Sequence, residues 1–410
     1  MGLSFWRARS KLRSLITLFF FRSDAEPCPL LRCCMPTPIL DLNAQLQSYR
    51  QEALNAIERV MDSQQFILGP EVSALERELS DWLKLSPDSV GVSSGTDALL
   101  VALMALEVGP GDEVIVPAMS FFATAGVVSR LGATPVFVDI DPQTFNITEE
   151  AARAAITPRT KAIVPVHLFG QPADLGALYH TPRAERPAIV EDAAQALGSA
   201  LRGQLTGHLG DVACTSFFPS KNLGCFGDGG AVYGPDEELL ERVRVLRMHG
   251  SKPKYHHWFV GGNFRLDALQ AAVLRVKLPL LDGWAEARRE GAALYTRRFE
   301  ALGLCTPERL TPPHVLPDVS HVFNQYVLRT PHRDALQAHL QARGIGTMIY
   351  YPSPLHTQPC FAELGYKEGD FPEAERACRE VLALPVYPEM SAAQREEVIS
   401  AVASFFGVEA

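Results

Sequence analysis

Between residues 90 and 233, short runs rich in Val, Ile and Ala alternate with stretches of helical length. No other feature restricts the fold as much. Extended runs that alternate with helices imply parallel strands joined by crossovers, hence an α/β sandwich with a mostly parallel sheet. Val90-Gly91-Val92 opens the series, before a glycine turn and a helix start. Further extended runs are expected at 113–116, 135–140, 162–166, 188–191, 212–217 and 231–233. Upstream, apolar spacing predicts helices over 42–68 and 71–83, the latter with Leu75, Leu79 and Leu83 on one face. Downstream, helices are expected at 266–276 and 285–302, interrupted by Pro279. A Pro-rich linker follows at 306–317. Strands at 322–329 and 346–351 and helices at 333–343, 372–384 and 391–406 complete a mixed α/β tail.

The 410 residues, 47% hydrophobic and 21% charged, suit one large domain and a smaller one. Net charge is −9, which argues against a general nucleic-acid binder. Residues 1–34 hold six Lys/Arg and two Asp/Glu, so they carry +4 and the rest −13. Their apolar run, 15–21, is far shorter than the roughly 20 residues that span a bilayer. This leader reads as a disordered extension or a misassigned start before Met35, and no membrane span is expected. Its basic and aromatic residues also suit an anionic membrane surface. The eight cysteines are scattered, which fits a reducing cytoplasm. They form no paired C-x-x-C motifs, so no metal site is expected.

Two residues suggest chemistry. Lys221 lies among small and apolar residues in Ser216-Phe217-Phe218-Pro219-Ser220-Lys221-Asn222-Leu223-Gly224. Asp192 ends the apolar run Ala188-Ile189-Val190-Glu191. A lone lysine in a loop is most simply a solvated charge. A desolvated one can form a Schiff base, and an aspartate at the end of a buried strand can pair with a protonated ring nitrogen. Pyridoxal phosphate (PLP) requires both partners. Gly95-Thr96 at a helix start can hold a phosphate on free N–H groups, or can be an ordinary cap.

Residues 212–230 resemble the cofactor-lysine segment of the PLP-dependent sugar aminotransferases, the DegT/DnrJ/StrS family of fold type I. The likeness runs from about Ile39 to about Phe405, with several motifs in the family's order. It implies a large PLP-binding domain at 35–282 and a small C-terminal domain at 283–410. It makes Lys221 the catalytic residue, both cofactor anchor and proton carrier. Gly95, Thr96 and Ser216 would hold the phosphate together with Asn263, supplied by the other subunit of a homodimer with shared active sites. Asp192 would bind the ring nitrogen, Gln195 would lie beside the ring hydroxyl, and Phe121, or its rival Phe122, would stack on the ring. Arg265, Tyr351 and His356 are the candidates for substrate binding. Arg265 is equally a salt-bridge partner for Asp267 or a neighbour. The family's His-Tyr-Pro segment begins here with Tyr350, which puts a histidine contact to the sugar in doubt. His167 reads as a structural histidine, and His256-His257 is weak evidence for a metal.

The implied reaction is transamination of a nucleotide-linked keto-hexose with glutamate as amino donor, in amino-sugar or surface-polysaccharide synthesis. The segments around Lys221 and Asn263 most resemble enzymes that aminate C-3, the UDP-2-acetamido-2-deoxy-3-oxo-glucuronate aminotransferases among them. C-4 amination is the alternative. A dehydrating branch carries histidine in place of the lysine. A regulatory relative would be marked by loss of Lys221 or Asp192, and both are present.

Overall fold

Apolar runs become the centre of a seven-stranded sheet in the computed structural model, which describes residues 37–409. The expectations for the leader, 1–34, lie outside those residues. The strands in chain order are β1 (Val90–Val92), β2 (Glu113–Pro117), β3 (Thr134–Val138), β4 (Thr160–Ile163), β5 (Ala188–Asp192), β6 (Ala200–Leu201), β7 (Gln204–Leu205), β8 (Val212–Ser216), β9 (Gly230–Tyr233), β10 (Val319–Ser320), β11 (Tyr326–Arg329) and β12 (Val381–Leu384). The large sheet runs β1-β9-β8-β5-β4-β2-β3. Pairs among β8, β5, β4, β2 and β3 are parallel, and β9 is antiparallel to both neighbours. Strands β2, β5 and β9 are buried along their whole length, as expected where both faces of a parallel sheet are covered. A small sheet pairs β6 with β7 and β10, and β11 pairs antiparallel with β12.

The helices are α1 (Leu42–Gln47), α2 (Arg50–Ser63), α3 (Pro70–Leu83), α4 (Gly95–Ala105), α5 (Ala123–Arg130), α6 (Glu149–Ala154), α7 (Glu237–Leu246), α8 (Ala268–Lys277), α9 (Leu281–Ala301), α10 (Arg333–Gln341), α11 (Pro372–Glu380) and α12 (Ala392–Phe405). Local signals set several of their ends. Pro70 sits in the first turn of α3. Ser391 and Gln394 cap each other's backbone at the start of α12. Helix α9 sends Leu281 and Trp284 into one core and Ala292, Tyr295 and Phe299 into another. The expected domain boundary at 282/283 falls in its first turn. No described helix is long and apolar enough to cross a membrane.

Three sequence expectations need correction. The stretch 42–68 is two helices, because Ser48 turns both its amide and its hydroxyl back to Gln45 O and closes α1. The stretch 372–384 is a helix and then a strand. Its last four residues pair with β11 in full register, and a short apolar run is compatible with either form. The stretch 346–351 makes only a single bridge, Met348 with Ala383, before the chain turns toward the cavity described next.

Candidate active site

Strands β2, β4, β5 and β8 point their C-terminal ends the same way, and a cavity of about 500 Å³ opens there. Open α/β sheets place ligand sites at this edge. Asp192, last residue of β5, is 4% exposed and lines the cavity. Its Oδ2 accepts from the Thr124 hydroxyl at 2.8 Å, and its Oδ1 from the Ala194 amide at 3.2 Å. Ser120 lies 2.9 Å from Thr124, completing a hydroxyl chain. Burial pushes the Asp192 carboxyl above its usual range, against the two hydrogen bonds and the positive charge of Lys221.

Lys221 follows β8 and lines the same cavity. Burial pulls its amine down to about 8, and the Asp192 charge opposes that shift. An amine near 8 is partly unprotonated at neutral pH, the state that both nucleophilic attack and proton transfer need. Strand alternation sends Glu191 to the opposite face from Asp192. There its carboxylate accepts from the amides of Gly207, Leu209 and Gly210 and pairs with His167 at 2.9 Å. His167 Nδ1 accepts from the Ala173 amide, so this histidine ties loops together behind the site.

Helix α4 aims its N-terminus at the cavity. Ser94 caps the Asp97 amide, and Gly95 and Thr96 stand at the open end, where N–H groups and the helix dipole favour an anion. Ser216, last residue of β8, closes against it. A Cβ on Gly95 would lie 2.6 Å from the Ser216 Cβ, and one on Gly230 would lie 2.5 Å from Ser94 O. Only glycine lets helix and strand approach so closely. The result is a small cradle of amides and hydroxyls, suited to a phosphate.

Gln195 bridges the cavity wall. Its Oε1 accepts from the Phe169 amide at 2.7 Å, and its Nε2 donates to Tyr351 Oη at 3.1 Å. The structure also separates the two candidate aromatics. Phe121 lines the cavity, 6.3 Å from the Tyr351 ring, whereas Phe122 stacks on Phe361.

Not every expected residue arrives here. His356 is 1% exposed, paired with Glu375 at 3.1 Å, and does not line the cavity. The pair forms a buried bracket, and the Leu355 amide pins the same turn to Ala118 O. Asn263 is exposed outside the cavity. Arg265 lies outside it too, with its Nε buried and without a partner, and no ion pair joins it to Asp267. His257 Nδ1 lies 2.8 Å from His249 O, and no group of three His, Cys, Asp or Glu is placed to hold a metal among the described residues. Sequence reading missed Thr124, Ser120, Ser220 and Gln325, and it named Tyr350 only as a departure from a motif.

Comparison with known proteins agrees with this geometry. The DegT/DnrJ/EryC1/StrS aminotransferase family matches residues 47–403. A Geobacillus stearothermophilus protein named pleiotropic regulatory protein is 49% identical, over 91% of this chain and 99% of its own length. The UDP-N-acetyl-3-dehydro-alpha-D-glucosamine 3-aminotransferase of Acidithiobacillus ferrooxidans is 45% identical, over 90% and 96%. The UDP-2-acetamido-2-deoxy-3-oxo-D-glucuronate aminotransferase of Pseudomonas aeruginosa, the type singled out from sequence, is 41% identical over 88% and 98%. The likeness is therefore to 3-aminotransferases more broadly. The crystal structure of S. venezuelae DesV in complex with a ketimine intermediate superposes with a TM-score of 0.86 at 45% identity, covering 90% of this chain and 97% of that one.

Proposed function

We propose that this chain, which belongs to the DegT/DnrJ/EryC1/StrS aminotransferase family, uses PLP to move an amino group from glutamate to a nucleotide-linked 3-keto-hexose. The observation that carries this reading is that Lys221, Asp192 and the Gly95–Ser216 cradle all line one cavity. The donor set fits the cofactor: an amine, a buried carboxylate, a phosphate cradle and an aromatic ring at Phe121. When bound, PLP withdraws electrons from the carbon that carries the amino group. Lys221 Nζ would anchor the cofactor and, once the substrate amine frees it, would take the proton from the substrate carbon that bears the nitrogen and deliver it to the cofactor, with the reverse transfer in the second half-reaction. Asp192 would hold a proton at the ring nitrogen, with its carboxylate fixed by Thr124 and Ala194. Gln195 and Tyr351, hydrogen-bonded to each other, would face the ring hydroxyl.

The regulatory name of one relative raises a second reading, a sensor without turnover. Retention of Lys221 and Asp192 favours the enzyme. The deciding assay presents UDP- and dTDP-linked keto-sugars with glutamate and locates the new amine by NMR. Amination at C-3 supports the reading, amination at C-4 corrects the position, and no product from any sugar refutes it.

Two results should follow from the phosphate site. Gly95→Ala forces Ser216 aside, and overpacking of this kind costs about 1–3 kcal/mol, so PLP affinity should fall about ten-fold or more. Equilibrium dialysis of cofactor checks this, with the melting temperature as control for the fold. Asn263 lies outside its own chain's cavity, and we assign it to the phosphate of the partner subunit. Mixing inactive Lys221→Ala subunits with inactive Asn263→Ala subunits should then regain activity, because each mixed dimer holds one intact site. Mixtures that stay dead after proven subunit exchange rule out the shared site.

A further inference from the structure

A second, smaller cavity of about 110 Å³ adjoins the main one. Ser220, Gln325 and Tyr350 line both this cavity and the main one, so they form the wall between the two. Its far side holds Arg288, from α9, which is 3% exposed. Arg288 Nη1 donates to the carbonyls of Val386 at 2.7 Å and of Phe323 and Asn324 at 3.3 Å. Its Nε is buried with no partner. No carboxylate forms an ion pair with it among the described residues. The carboxylate whose charge it feels, Glu389, has its own pKa pushed up by burial. Asn324 Oδ1 and Gln325 Oε1 also lack partners.

A buried guanidinium without a paired anion is costly, and removing it from water is repaid only by good ionic geometry. Three backbone carbonyls satisfy one nitrogen and leave Nε without an acceptor, while Glu389 offsets the charge without contacting it, its own Oε2 also lacking a partner. A ligand carboxylate would give Nε the contact that Glu389 does not make, with the hydroxyls of Ser220 and Tyr350 as further donors. Gln325 Oε1, on the dividing wall, would accept from an ammonium group on its way to Lys221. An amino acid carries both charges.

We propose that this cavity receives a carboxylate of the amino-acid donor, with Arg288 as its anchor and Tyr350 and Ser220 as its gate. The proposal rests on the aminotransferase reading above. It gives the Tyr350 position a role on the donor side of the reaction.

The test follows the donor half-reaction alone, on PLP-loaded enzyme, as the cofactor absorbance changes with glutamate. Arg288→Lys and Tyr350→Phe should each raise the glutamate concentration needed for half-maximal rate, Arg288→Lys by about ten-fold or more. Calorimetry with glutarate, a dicarboxylate with no amine to transfer, gives a readout independent of turnover. Its binding should weaken in the same variants. If Arg288→Lys does not fold, Tyr350→Phe and Ser220→Ala decide. Unchanged glutamate dependence together with unchanged glutarate binding overturns the proposal. A wild-type holoenzyme that no amino acid converts refutes the aminotransferase reading instead, and the glutarate titration still decides the cavity.

Discussion

Lys221→Ala is expected to lower turnover by roughly 10²–10⁴-fold or more and to leave no cofactor fixed to the chain by borohydride. The amine has two tasks in the proposed reaction, and no other lysine lines the cavity to replace it. Peptide mapping after reduction of the wild type should find PLP on the fragment that contains Lys221. Reducible cofactor at wild-type level in the variant would disprove the assignment. The same substitution has a signature in the cofactor-free protein. Folding lowers the Lys221 pKa to about 8, below its usual value near 10.4. The unfolded chain therefore binds more protons between those values, and stability rises with pH across that window. Lys221→Ala should flatten that rise. Some slope will remain, because burial also pulls the Lys277 amine down to about 8. Urea titrations at pH 7.5 and 10 measure the difference.

The sequence made some parts of this site visible and hid others, for physical reasons. Strands β2, β5 and β8 were found within a residue or two because buried runs are apolar and turn residues bound them. Lys221 and Asp192 stood out because an amine and a carboxylate are costly in such surroundings unless they have work to do. Thr124 did not stand out. It touches Asp192 across 68 residues, and only the packing of α5 against the sheet edge brings them together. The burial of His356 was hidden for the opposite reason. Its motif marks a turn near the cavity, but side-chain direction is set by Glu375 on α11, which turns the ring inward. Arg288 was invisible because its helix has ordinary amphipathic spacing. Its meaning comes from carbonyls contributed by residues 323, 324 and 386.

Asp192→Asn should cut turnover by about 10²–10³-fold while leaving PLP largely bound. Asparagine keeps the shape of the side chain, and its carbonyl can still accept from the Thr124 hydroxyl or the Ala194 amide. What disappears is the negative charge in a site that is 4% exposed, where a fixed charge acts far more strongly than in water. The ring nitrogen would then lose its proton, and with it the electron withdrawal that the proton shift at Lys221 depends on. In the proposed site cofactor retention would have a separate source, the α4 amides and Ser216 at the cradle, with no hydrogen bond to Asp192. The variant should therefore retain near-normal PLP content, show an altered cofactor spectrum, and turn over slowly at saturating concentrations of both substrates. Loss of cofactor in parallel with activity would make Asp192 a binding residue only. Near-normal turnover with full PLP content would remove it from the ring nitrogen altogether.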